Sequence, residues 1–298
     1  MRTKEQFMPG ASKQGVTRKG ALNTVEIAEI ARLIATCDAR DNLHTRISVQ
    51  ALRLRSSTEI NDFLYYERGQ LAGYLSMDNR GTIEKEMTGI VRPESRRRGI
   101  FRQLFEAARE ECLEQGVSCM VLVCEQSADA GHAFIASIRA HREFSEHEMF
   151  LASFRPGQYA DLRVLPATEE YDAILLALLA VEADEVEARQ LVEEFHARPE
   201  QQFYLATLAG GEPLGCLCLE HMDDTVRISN FVIHPAQREH GYGRAFLETC
   251  IHRITTERPR RIMLEVETTN ERAIRLYQSC GFSIRATYDY FKHPIYAE

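Results

Sequence analysis

The stretch SNFVIHPAQREHGYGRAFLE, residues 229–248, reads as an apolar strand, a short polar turn, and a helix whose first turn is built from Arg238-Glu239-His240-Gly241-Tyr242-Gly243. Gly241 and Gly243 lack a Cβ, so the backbone there can take unusual dihedrals and approach a ligand closely. Consecutive N–H groups at a helix start have no acceptor within the helix and sit at the positive end of its dipole, which suits an anion. Arg238 adds a guanidinium able to hold a phosphate through two parallel bonds. A two-glycine turn is equally at home as structural punctuation, so its meaning depends on the rest of the chain. A dinucleotide-binding turn is excluded on the same residues. That fingerprint requires a glycine or alanine three positions after the second glycine, and Phe246 stands there.

Further on comes Asn270-x-x-Ala273-x-x-Leu276-Tyr277-x-x-x-Gly281-Phe282. The two motifs, in this order and spacing, resemble the Gcn5-related N-acetyltransferase (GNAT) superfamily over roughly residues 161–292. The resemblance implies an α/β fold with a mixed central sheet flanked by helices, acetyl-CoA as acyl donor, and an amine as acceptor. It implies that the turn from Arg238 to Gly243 holds the pyrophosphate. Phe231, Val232 and Ile233 would pair with the pantetheine amides like an added strand, with a backbone N–H, taken as that of Val232, facing the thioester oxygen. Asn270 would bond the pantetheine arm, and Tyr277 would give a proton to the departing thiolate. A tyrosine suits that role because its pKa of about 10 keeps it protonated at neutral pH.

The bulk numbers fit such a protein. At 298 residues the chain suits two domains, and 44% hydrophobic with 27% charged residues is ordinary for a globular protein. Its longest apolar run, residues 173–181, is far shorter than the roughly 18 to 20 residues of a membrane helix. Residues 1–20 are polar and basic, without the apolar core of a secretory signal. A net charge of −8 disfavours sequence-independent binding to nucleic acid, which is driven by neutralising phosphates. The eight cysteines show no CxxC pair and no metal-type spacing with histidine, so they read as reduced core residues of a cytoplasmic protein that holds no metal.

Sliding the sequence against itself gives a repeat at an offset of 142, the distance from Gly99 to Gly241. At that offset Gly69 meets Gly211, Gly73 meets Gly215, Pro93 meets Pro235, Arg96 meets Arg238, and Glu125 meets Glu267. The reading is therefore two tandem GNAT-like domains, a layout that resembles mycothiol synthase. Residues 1–18 read as a mobile leader, 19–155 as the first domain and 156–298 as the second, joined at the turn Arg155-Pro156-Gly157-Gln158. In the first copy strands are expected at 63–66, 71–77, 83–91, 120–124 and 148–154, with helices from Thr24 as N-cap, at 99–115 and at 130–140. The second copy gives strands at 162–165, 203–208, 214–221, 226–234, 262–266 and 282–291. Its helices fall at 169–183, 186–196, 242–257 and 270–280.

The copies differ where chemistry is expected. The first keeps the anion turn as Arg96-Arg97-Arg98-Gly99, with Phe101 in the place of Gly243, so Arg96 and Gly99 are candidate cofactor residues. Ala128 and Ile135 stand where Asn270 and Tyr277 stand in the second copy, and chemistry is accordingly assigned to the second. For the general base, Glu265 and Glu267 share one face of a strand by alternation, with Glu220 and His221 as rivals. The function expected is transfer of acetyl from acetyl-CoA to a primary amine of a small molecule or protein. A non-catalytic acyl-CoA sensor or assembly module is the alternative, one that would keep the phosphate turns and drop the acid.

Overall fold

A computed structural model describes residues 13–55, 59–80, 83–155, 157, 162–222, 224–257 and 260–296. The chain divides into two units, Met1–Phe144 with Tyr288–Glu298, and Ser145–Thr287.

The first unit runs β1 (Gly15–Lys19), α1 (Thr24–Asp41), α2 (Val49–Leu54), β2 (Asp62–Glu67), β3 (Gln70–Arg80), β4 (Glu84–Val91), α3 (Ile100–Glu114), β5 (Cys119–Glu125), α4 (Asp129–Ser137) and the start of β6 (His141–Leu151). The second holds the rest of β6, then β7 (Arg163–Pro166), α5 (Asp172–Leu179), α6 (Glu185–Ala197), β8 (Gln201–Thr207), β9 (Pro213–His221) and β10 (Thr225–Ile233). It continues with α7 (Tyr242–Glu257), β11 (Arg261–Glu267), α8 (Glu271–Ser279) and the start of β12 (Phe282–Pro294). In the first unit the strands lie in the order β1-β2-β3-β4-β5-β12, and in the second β12-β6-β11-β10-β9-β8-β7. One parallel pair sits inside each sheet, β4 with β5 and β10 with β11. Each sheet is therefore mixed, as expected.

Three expectations are corrected. Residues 15–18, read as leader, are in β1, which pairs antiparallel with β2, Val16 opposite Tyr65; residues 1–12 of that leader lie outside the described residues. The N-cap of α1 is Asn23 rather than Thr24. Its side chain accepts from the N–H groups of Val25 and Glu26 while Glu26 reaches back to Asn23, a reciprocal capping box. The third correction concerns the joint. Residues 146–150 of β6, the last strand of the first copy, pair with β11, and residues 288–294 of β12, the last strand of the second copy, pair with β5. The units thus divide at Phe144 and again at Thr287, not at Arg155. The exchange obeys the repeat: Glu267 opposite Glu146 and Glu125 opposite Tyr288 are the same pair displaced by 142.

The second unit buries apolar side chains on both faces of its sheet. One cluster joins Leu217, Leu219, Val226, Ile228, Leu264 and Val266 to Phe246, Leu247 and Ile251 of α7 and Tyr277 of α8. The other joins Phe203, Leu205, Cys216, Cys218 and Val232 to Leu175, Leu178 and Leu179 of α5 and Val192 and Phe195 of α6. This two-sided burial explains why 214–219 is a continuous apolar run rather than an alternating one.

Candidate active site

In the second unit β10 and β11 run parallel only from Thr225–Arg261 to Ile228–Leu264, and then part. At the same level the ladder between β10 and β9 is broken between Ser229 and Val232, where Asn230 takes a φ of 49°. Such an interruption takes residues out of the ladder and re-aims the strand. Past Ile228, the edge of β10 facing β11 has no ladder partner among the described residues. A polar chain entering this fork can pair with that edge.

Strand alternation revises one donor. His234 donates its N–H to Leu214 O at 2.9 Å, which fixes the alternation of the ladder beyond the break. Two residues back, Val232 opposite Cys216 turns its amide the same way, toward β9. Phe231 and Ile233 are left facing the fork.

The turn follows at once. Pro235–Gln237 form a single 3-10 turn, Arg238 is extended, and Glu239 and Gly241 take φ of 69° and 80°. A Cβ at Gly241 would meet nothing within 4 Å, so its dihedral, not crowding, calls for glycine. Gly243 has neither demand: a Cβ there would find Ile233 Cγ1 at 3.5 Å and Leu276 Cδ2 at 3.6 Å, ordinary contacts. Arg238 is already engaged. Its Nε donates to Ile233 O at 2.9 Å and an Nη pairs with Glu182 at 2.5 Å, so it ties the strand end to the turn instead of offering a free two-pronged grip. His240 Nδ1 lies 2.7 Å from Arg238 O with its ring stacked on Tyr242, and Glu239 is exposed 3.8 Å from Arg272. Asn270 is the N-cap of α8, accepting from Ala273 N–H at 3.1 Å, which leaves its amide NH2 for a ligand.

Tyr277 is 8% exposed, with Phe231 and Phe282 rings at 6.4 and 6.1 Å. Burial, with a small contribution from Cys280, pushes its phenol up to about 12. It shares a cluster with Leu264 and Val266, so alternation puts Glu265 on the opposite face of β11. Acid and base candidates thus flank the fork from its two sides. Glu265 is the first residue of β11 beyond the last paired position and lies 3.6 Å from Arg227. Glu220, the rival, is bonded by two nitrogens of the same Arg227. Glu267 is exposed and accepts from Thr269 Oγ1 at 3.2 Å, and His221 Nδ1 lies 3.2 Å from Arg260 at the far end of the strand. Opposite Glu265 on β6 stands Glu148, buried and bonded by Arg285 Nε at 2.7 Å. That carboxylate escapes a reading of the sequence because it belongs to the first copy by repeat and to the second unit by fold.

The first unit keeps the turn without the fork's break. Arg97 and Gly99 take φ of 61° and 77°, and Arg96 repeats the role of Arg238, donating to Val91 O at 3.0 Å and pairing with Asp41 at 2.5 Å. Arg98 pairs with Glu67. The β3–β4 ladder, however, runs unbroken from Gly73–Val91 to Arg80–Glu84. Ala128 caps α4 with no side-chain bond, and Ile135 is buried where the phenol would be.

Among the described residues no three His, Cys, Asp or Glu side chains cluster as a metal site, and no helix is long and apolar enough to cross a membrane. All eight cysteines are unpaired.

Comparison with known proteins agrees with this geometry. Residues 169–282 match the acetyltransferase (GNAT) family, and residues 12–135 match an acetyltransferase (GNAT) domain. No curated protein sequence matches the chain. Among solved structures it is similar to a GCN5-related N-acetyltransferase from Sphaerobacter thermophilus, at 17% identity and a TM-score of 0.77 over 95% of this chain and 96% of that one. A tandem GNAT protein from the clavulanic acid biosynthesis pathway gives 16% identity and a TM-score of 0.72 over 95% and 99%. At these identities the likeness is one of fold.

Proposed function

This chain belongs to the GNAT superfamily as a tandem of two such domains, and from that premise we propose that its second unit transfers acetyl from acetyl-CoA to a primary amine while the first catalyses nothing. The observation that carries this is the break in β10 between Ser229 and Val232, beside the parting of β10 from β11 and absent from β4.

The residues present suit the donor. N–H groups of the Glu239–Gly241 turn and the first turn of α7 hold the pyrophosphate, the free edge of β10 pairs with the pantetheine amides, and the NH2 of Asn270 bonds the same arm. The N–H of Phe231 or Ile233 faces the thioester oxygen and stabilises the charge that gathers there when the amine attacks. As the C–N bond forms and the C–S bond breaks, the nitrogen loses its protons on the Glu265 side and the sulfur gains one on the Tyr277 side. An ordinary thiol titrates near 8.5, about 3.5 units below this phenol, so full transfer looks uphill. The phenol therefore assists by donating a hydrogen bond to the sulfur as charge builds there in the transition state. The unpaired cysteines fit a reducing compartment, and we place the protein in the cytoplasm.

Calorimetric titration of the full chain with acetyl-CoA tests the reading. One site is expected, abolished by Gly241→Glu and retained in Gly99→Glu. No site, or one lost only with Gly99, would overturn it, and a second site lost with Gly99 would make the first unit a further cofactor pocket.

A further inference from the structure

The internal repeat supplies a comparison that needs no second protein. Positions where the two copies agree despite only one having the broken strand answer to the fold; positions that change together with the break answer to the chemistry. Glu267 has Glu125 as its counterpart, and Glu220 and Arg227 have Asp78 and Lys85, so those charges persist in both copies. Glu265 and Glu148 behave differently. They face each other across β11 and β6, and the same pair displaced by 142 is Val123 facing Tyr290. Arg285, which bonds Glu148, becomes Glu143. Two carboxylates and their guanidinium therefore appear together only in the unit that has the break, Asn270 and Tyr277.

Residues directly opposite in an antiparallel pair share a face with Cβ atoms about 5 Å apart, and like charges placed so are destabilising. Glu148 is moreover 6% exposed, where a carboxylate is costly without partners. Arg285 already bonds Glu148 and Arg227 lies 3.6 Å from Glu265, so each carboxylate has a cation of its own; a donor-only alkylammonium between them adds a bond to each, while a neutral arylamine brings no charge to the pair. We propose that Glu148 is an acceptor-positioning residue of the second unit, and that with Glu265 it selects an alkylammonium, an amine charged at neutral pH, over arylamines. This rests on the acetyltransferase reading above. Glu148, held by Arg285, fixes the ammonium on the face of the fork opposite Tyr277. Glu265 takes one proton from it, the freed amine forms the C–N bond and loses a second proton as the C–S bond breaks, and the departing thiolate takes a proton on the Tyr277 side. One proton per turnover is released to solvent.

The test uses the full chain saturated with CoA and titrated calorimetrically at pH 7.5 with n-butylamine, putrescine and L-lysine, and with aniline as the uncharged probe. At least one alkylamine binds, at least tenfold more tightly than aniline, and is acetylated when acetyl-CoA replaces CoA. In Glu148→Gln its affinity falls at least tenfold and its KM rises as much, with the KM for acetyl-CoA within twofold. The deficit shrinks toward pH 10 as the amine loses its charge, a change that a merely structural defect would not show. Glu265→Gln, at a less buried position, lowers kcat more than affinity. Aniline binding as well as the alkylamines, none of the three alkylamines binding the CoA-loaded chain, or unchanged amine affinity in a folded Glu148→Gln would overturn the proposal. Failure of CoA itself to bind would instead overturn the reading beneath it.

Discussion

A Cβ on Gly89 would fall 2.7 Å from Cε2 of Phe101, so a ring carried by α3 fills the space above a strand residue that has no side chain. The second unit inverts the arrangement. Displaced by 142, the two positions are Phe231 on β10 and Gly243 on α7, with Phe231 Cζ 3.8 Å from where a Cβ of Gly243 would be. One ring is retained in each unit, supplied by the helix in the first and by the strand in the second. A double-mutant cycle measures this reciprocity. Gly243→Phe alone overpacks the site and costs about 1 to 3 kcal/mol. Phe231→Gly alone leaves a cavity and costs roughly 3 to 5 kcal/mol. Together they restore the arrangement of the first unit, so the pair costs at least about 1 kcal/mol less than the sum in urea unfolding. Additive costs would mean the two positions do not share one space.

The glycines of the anion turn separate by the same reasoning. Gly241 sits at a φ of 80°, where any Cβ is strained, and Gly241→Ala lowers stability by about 1 kcal/mol. Gly243 lies inside α7 with only ordinary contacts for an added methyl, and alanine is the better helix former by roughly 1 kcal/mol. Gly243→Ala therefore holds or raises the melting temperature and leaves acetyl-CoA affinity within about twofold. A loss like that of Gly241→Ala would show that the second glycine is needed for the approach of the ligand.

Strand and helix periodicity carries most of the fold in this sequence, because alternation and helical spacing are local. The repeat at 142 carries the tandem. Features that depend on partners far along the chain were not legible in the same way. Arg238 looks like a phosphate ligand in the motif, and only the fold brings Ile233 O and Glu182 to its nitrogens. The resemblance points to the N–H of Val232, and the break at Asn230 and the bond from His234 to Leu214 O, which fix the alternation, have no sequence signal of their own. Glu148 reads as part of the first copy, since nothing in a strand's composition says which sheet it joins.

Tyr277→Phe isolates the proposed acid. Turnover falls by about a hundredfold or more if the phenol supplies a proton in the transition state, while acetyl-CoA affinity, which rests on the turn and the β10 edge, stays within a few-fold. The same substitution has a signature in stability. With its phenol pushed up to about 12 from 10, the folded chain holds this proton more tightly than the unfolded one. The contribution is fully present below pH 10 and is lost as pH rises toward 12, amounting to about 2 to 3 kcal/mol. Tyr277→Phe removes that part of the alkaline slope, and the difference between the two proteins is the quantity to read, because Cys216 and Cys250 also titrate near 12 in both. Equal turnover would move the acid to another group.

The exchanged strands decide where the chain can be cut. A fragment starting at residue 156, the joint suggested by the turn residues, lacks residues 146–150 of β6 and leaves the edge of β11 that they cover unpaired. It would also lack Met149, a fully buried member of the core under α7. A bare strand edge next to a missing core side chain favours aggregation over folding. A fragment of residues 145–287 retains both and matches the second unit as it stands. Expressed side by side, the longer fragment is monodisperse in size-exclusion chromatography and binds acetyl-CoA, whereas the fragment beginning at 156 elutes in the void or is insoluble. Ending the full chain at Thr287 strips β5 of residues 288–294 and exposes Met120 and Leu122 at the sheet edge, so the first unit unfolds while acetyl-CoA binding by the second survives. If the cut at 156 gave the better-behaved fragment, the exchange of strands between the copies would be wrong, and Glu148 would leave the acceptor face with it.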